Sequence, residues 1–124
     1  MAVGYGPAGA ATVLDALVTT YPWNKLHTAT PGAAGATAPS TETTRKQFAF
    51  NATGVDGIVE NSGAISWTNI AATGTEDSQF FSAWSASTAG NFGYSGTITA
   101  NAYVTGDTYE VAAGALVVSV PLAS

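Results

Sequence analysis

The sequence predicts an all-β protein: an antiparallel β-sandwich, jelly-roll-like, with a short N-terminal helix and a long flexible loop or arm. Three observations predict it. Short runs alternate apolar and polar residues with period two, as half-buried strands do. Breaks rich in Gly, Asn, Ser and Pro separate these runs about every ten residues. Only residues 10–20 carry a helical period.

Taken in order, Gly4, Gly6, Pro7 and Gly9 give a flexible start. Residues 10–20 then place Val13, Leu14, Leu17 and Val18 on one helical stripe, ended by Tyr21-Pro22. So short a helix needs a packing partner. Residues 1–20 are assigned to an N-terminal arm and helix, and residues 21–124 to the sandwich. Residues 24–28 alternate as a strand. Residues 30–44 (TPGAAGATAPSTETT) are low in complexity and rich in small residues, so they are expected as a surface loop or extended arm. Phe48 and Phe50 alternate with Gln47 and Ala49 in the next strand. Residues 51–57 read as a turn, 58–60 as a short strand, and 64–70 as a strand with Ile65, Trp67 and Asn69 on one face. Residues 79–85 oppose Phe81 and Ala83 to Phe80, Ser82 and Trp84, and residues 87–94 read as a glycine-rich bend. The closing stretch is expected as a hairpin. Ile98, Ala100, Ala102 and Val104 share one face, Gly106-Asp107 turns, and residues 108–111 return. A last strand places Leu116, Val118 and Val120 inward and fades at Pro121. The expected core is Phe48, Phe50, Ile65, Trp67, Phe81, Ile98, Val104, Leu116 and Val118.

Composition narrows function. A chain of 124 residues supports one sizeable core. Net charge is -5, charged residues are 9%, and no Lys or Arg follows Lys46. Nucleic acid and anionic membrane surfaces both demand clustered positive charge, so neither is an expected partner. Cysteine is absent, which excludes disulfides, thiol nucleophiles and zinc-thiolate sites. The first ten residues lack a secretory signal pattern, and no apolar run approaches the roughly 18 residues of a membrane span. Synthesis in the cytoplasm and use without processing are expected. Abundant Gly, Ala, Thr and Ser with little charge suit a subunit whose faces are covered by neighbours.

No reaction is expected. His27 is the single histidine, and no Ser-His-Asp or Cys-His spacing assembles around it; packing or interface is the expected role. Asp56, Glu60, Glu76 and Asp77 lie in or beside loops without calcium-loop spacing, and solvation accounts for them. A hydrolase would need paired carboxylates, nominally Glu60 and Glu76, which nothing in the sequence brings together. Trp23, Trp67 and Trp84 suit a core or interface better than a sugar platform. No catalytic residue, cofactor or metal is assigned. Residues expected at subunit contacts are Tyr5, Trp23, Leu26, His27, Pro31, Gly32 and Arg45.

Two stretches resemble a known family. Leu26-His27-Thr28-Ala29-Thr30-Pro31-Gly32 is similar to the LHTAxPG strand-and-turn of a family of small tailed-bacteriophage structural proteins, minor capsid or tail-fibre-like in type. Residues 106–120 resemble that family's closing strands, and Trp67-Thr68-Asn69, Gly90-Asn91 and Arg45 match elements between. The resemblance implies a virion component with a sandwich-like fold and no enzymatic activity. On that footing the expected function is capsid decoration: a cement protein on the outer surface of the major capsid lattice. Its expected partners are the major capsid protein and itself, as a homotrimer. The alternative is a tail-tip or tail-fibre module that binds a host-surface glycan.

Overall fold

A computed structural model describes residues 3–51 and 56–123. The chain is mostly β with one helix. A six-stranded antiparallel sheet curls into a half-barrel, and a two-stranded sheet completes a sandwich-like core.

Helix α1 spans Pro7–Thr20, three residues earlier than its apolar stripe suggests. Pro7 stands in its first turn, where a fixed φ is pre-organised for helix and the missing N–H was not needed. Ala10 and Leu14 are buried, Val18 packs on the core, and the Tyr21 N–H closes the last turn on the Leu17 carbonyl (2.9 Å). Gly4 and Tyr5, just before it, are not part of a free arm. Tyr5 donates to the Pro121 carbonyl (2.9 Å) and accepts from Ala123 (2.8 Å), which ties the two ends of the chain together. Gly4 lies so close to that segment that a Cβ would sit 2.6 Å from the Pro121 oxygen.

The strands are β1 (Trp23–His27), β2 (Lys46–Gln47), β3 (Ile58–Glu60), β4 (Ile65–Trp67), β5 (Phe80–Trp84), β6 (Phe92–Ile98), β7 (Tyr109–Val111) and β8 (Leu116–Ser119). The large sheet runs β2-β1-β5-β6-β8-β3, and β4 pairs with β7. One face of the large sheet carries Leu26, Phe81, Ala83, Ile98, Leu116, Val118 and Val59, all buried. Trp67 and Tyr109, directly opposite in β4 and β7, join them in the same cluster. An aromatic chain runs through this core. Phe48 and Phe50 lie 6.5 Å apart between ring centres, Phe48 and Trp67 5.9 Å, Trp67 and Tyr109 6.0 Å, and Tyr109 and Tyr103 5.0 Å.

Both edges of the large sheet are covered by one stretch. Residues 38–40 bond along β1, through Thr28 N–H to the Ala38 carbonyl (3.0 Å) and Ser40 N–H to the Leu26 carbonyl (3.1 Å). β2 continues that edge, and by residue 49 the chain has crossed to β3. There Asn51 donates to the Glu60 carbonyl (2.9 Å) and Ser62 to the Ala49 carbonyl (3.0 Å). An unpaired strand edge invites wrong partners, and this crossing covers part of each.

Several expectations are corrected. The closing hairpin does not form. The chain leaves the sheet after Ile98, Tyr103 bridges Glu76, and β7 pairs with β4 instead. The turn at Gly106 is present, with φ +94°. Side-chain placement is inverted at residues 103 and 104: Tyr103 is buried, whereas Val104, expected in the core, is 45% exposed. Residues 87–90 do bend, with Gly90 at φ +76°, but residues 92–94 form the start of β6, the longest strand. Its glycines serve close packing: a Cβ on Gly93 would lie 2.2 Å from the Tyr21 ring. β4 stops at Trp67, because Asn69 takes a left-handed turn conformation (φ +52°) and not a strand position. Residues 30–44 are no extended arm; they fold back on β1 and on the Glu76–Ser78 stretch. Of the turn expected at residues 51–57, positions 52–55 lie outside the described residues.

Candidate functional site

The second face of the large sheet carries the arrangement closest to a site. In β1 and β5, Trp23 faces Trp84 and Lys25 faces Ser82, while His27 lies diagonally from Ser82. Diagonal neighbours are within reach of a ring side chain. His27 Nε2 meets Ser82 Oγ at 2.7 Å, Trp84 Nε1 meets the same oxygen at 2.7 Å, and His27 Nδ1 meets the Thr37 carbonyl at 2.8 Å. Every proton in this chain is fixed by its ends. A carbonyl only accepts, so Nδ1 carries the hydrogen and Nε2 is the acceptor. Ser82 therefore donates to His27, and Trp84 donates to Ser82.

A serine hydroxyl on a histidine nitrogen suggests nucleophilic catalysis, but the surroundings contradict it. His27 and Ser82 are both fully buried, beneath the fold-back of residues 28–40. The group orienting the imidazole is a neutral carbonyl, and the serine oxygen already accepts from an indole. No substrate reaches these atoms. Burial holds the imidazole below its ordinary pKa, with Lys25 acting in the same direction and the Thr37 carbonyl opposing both. A neutral histidine as a structural link is what the geometry provides.

Beside it, the Arg45 guanidinium lies 4.2 Å above the Trp84 ring and donates through Nη1 to the carbonyls of Ala86 (2.9 Å) and Ala89 (2.7 Å). Trp84 also packs on Phe92, with ring centres 5.5 Å apart. One ring face and the N–H of this tryptophan are thus occupied, which leaves little of a sugar-stacking platform. Phe92 in turn abuts Gly35, where a Cβ would lie 2.5 Å from the ring.

The carboxylates act as loop anchors. Glu76 accepts from the Thr41 hydroxyl and from the N–H groups of Thr41 (3.1 Å) and Thr73 (2.6 Å). Glu42 accepts from the N–H groups of Ala71 (3.1 Å) and Thr44 (3.2 Å). Burial would raise both pKa values, but these donors outweigh it and hold both carboxyls below the usual range. Glu60 lies on β3 and forms no such cluster with Glu76. Among the described residues, no three His, Cys, Asp or Glu side chains come together to hold a metal ion, and no helix is long and apolar enough to cross a membrane.

Of the residues expected at subunit contacts, Leu26, His27 and Pro31 are buried inside the subunit and present nothing outward. Tyr5 is 41% exposed, Gly32 is exposed, and Trp23 and Arg45 are half-buried. Of those expected in the core, Phe48, Trp67, Phe81, Ile98, Leu116 and Val118 are buried, while Phe50 and Ile65 pack at its margin. Sequence reasoning missed Ser82 and the orienting Thr37 carbonyl. The signal available was a buried-parity serine between two aromatics in β5, but the pairing of β5 with β1 carries no local signature.

No curated protein and no solved structure matches the chain. A family model described as podophage GP4 fiber I protein gp80 matches residues 10–119, from helix α1 through strand β8. The chain therefore belongs to that family, a family of phage structural proteins.

Proposed function

We propose that this protein is a non-enzymatic structural subunit of a bacteriophage virion, carried on its fibre-bearing apparatus. The family description, which names a fibre protein, is the observation that carries this reading. It is supported by the inaccessible Ser82–His27 pair and by carboxylates spent on loop anchoring. The partners on this reading are neighbouring virion proteins and other copies of the chain.

Capsid decoration competes with it, as a cement protein, trimeric and bound to the major capsid protein. Flexible segments able to reach a neighbour would favour it, whereas Tyr5 and residues 38–40 bond to their own subunit. The fibre reading is therefore preferred. Glycan binding through Trp84 loses support from the Arg45 cap.

Copy number and location separate the readings. Quantitative mass spectrometry of purified virions, with cryo-electron microscopy of the same particles, should find a small number of copies at the tail or its fibres. Hundreds of copies on the shell would replace this proposal by decoration. Absence from the virion would overturn both.

A further inference from the structure

A groove of about 460 Å³ runs between residues 99–102 and strand β7. Both walls offer unused main chain. Among the described residues β7 has β4 as its one strand partner, and an antiparallel ladder engages only alternate residues toward a given neighbour. At least one β7 residue therefore turns its N–H and C=O away from β4. On the opposite wall, Thr99 donates to the Ala115 carbonyl (3.0 Å) and Tyr103 to that of Glu76 (2.9 Å). Between them Ala100, Asn101 and Ala102 make no main-chain hydrogen bond to any described residue. The large sheet, by contrast, has residues 38–40, β2 and residues 49–51 along its edges.

We propose that this groove receives an extended, basic polypeptide segment of a different virion protein, added as a strand beside β7. The inference rests on the virion reading above. Strand addition draws affinity from main-chain hydrogen bonds and specificity from alternate side chains. Four residues of wall at ~3.3 Å rise make a slot about 13 Å long, enough for a short strand. Charge selects the occupant. Glu110 is the charged side chain lining the groove, and the chain as a whole carries -5. A second copy is disfavoured, because it carries the same net charge of -5 and its Arg45 is held by the Ala86 and Ala89 carbonyls.

The test compares the purified free protein with intact virions. Amide hydrogen exchange should slow about tenfold or more at Ala100, Asn101, Ala102 and in β7 upon incorporation. A photo-crosslinker at Asn101 (Asn101→p-benzoylphenylalanine), irradiated in virions, should join this chain to a Lys- or Arg-bearing segment of another protein. Glu110→Lys should lower that yield about tenfold, as like charges are brought together. Unchanged exchange at these amides in a protein that is present in the virion overturns the groove proposal alone. Cross-linking to a second copy of this chain, or to an acidic segment, also overturns it. Absence of the protein from virions refutes the virion reading instead.

Discussion

Replacing Ser82 by alanine isolates the buried relay that joins residues 28–40 to the sheet. In the native protein Ser82 Oγ takes the Trp84 indole hydrogen and gives its own to His27 Nε2, each at 2.7 Å. Ser82→Ala removes one heavy atom and opens almost no cavity, so lost packing contributes little. The imidazole nitrogen loses its donor inside a fully buried site, and a buried acceptor left unsatisfied costs roughly 1–3 kcal/mol. Trp84 is half-exposed, and its N–H recovers a water partner at small cost. The expected destabilisation is about 2 kcal/mol. Unfolding entropy near 2.1 cal/mol/K per residue gives ~0.26 kcal/mol/K for 124 residues, so Tm should fall by about 8 °C.

Thermal unfolding followed by circular dichroism at pH 8 measures this directly. The same change in a His27→Phe background should cost far less, since no imidazole acceptor remains to be orphaned. A fall in Tm below ~2 °C, or an equal cost in both backgrounds, would refute the assigned hydrogen-bond direction.

Four further outcomes follow from the structure. Because burial lowers the folded pKa of His27, the unfolded chain binds more protons between that value and about 6.5; the stability involved is present above pH 6.5 and is lost as pH falls below it. Urea midpoints measured from pH 8 to pH 5 should show the loss, and His27→Phe should flatten that slope. Gly93→Ala and Gly96→Ala should each cost roughly 1–3 kcal/mol or prevent folding, since the new methyl meets the Tyr21 ring at 2.2 Å or the Val117 carbonyl at 2.7 Å. Gly63→Ala, with open space around it, should be near neutral in the same denaturation assay. Arg45→Lys should cost about 1 kcal/mol and change Trp84 fluorescence, because a lysine does not stack on the indole while bonding both the Ala86 and Ala89 carbonyls.

What could be read from the sequence was what depends on near neighbours. Leu14 and Val18 on one stripe located α1, and the alternation around Phe81 and around Leu116 located β5 and β8. Errors arose where one local pattern serves two purposes. Glycine marks turns, but Gly93 and Gly96 sit inside β6 because aromatic rings occupy the space of their missing side chains. Alternation from Ile98 to Val104 looked like one strand, yet the Tyr103 ring, hydrogen-bonded at its hydroxyl to Ser78 (2.6 Å), draws the opposite parity inward. The supposed arm was judged by how little apolar area it could bury. It is held by polar contacts instead: Thr37 O on His27, Ser40 Oγ on Ser78 Oγ (2.6 Å), and Thr41 on Glu76. The Ser82–His27 contact spans 55 residues and depends on a strand pairing that no short window records.

The same polar fold-back changes what low charge means for this protein. With only 9% charged residues, a broad apolar contact face would be the simple expectation for an assembly subunit. Among the described residues, the large apolar side chains most exposed are Val3, Tyr5, Ile58 and Val104. Val104 sits in the residue 99–108 region, while Val3 and Tyr5 lie at the joined chain ends, near the β3–β8 edge that carries Ile58. Much of the remaining surface is Thr, Ser, Gly and Ala, whose short side chains leave the main chain accessible. Contacts built on such a surface depend on main-chain hydrogen bonds and close approach more than on buried apolar area. The chain has already used that mode internally, laying residues 38–51 along both edges of its own sheet. The β7 groove offers a neighbour the same kind of contact, so a partner that fits there needs an extended backbone and a complementary charge more than a hydrophobic anchor.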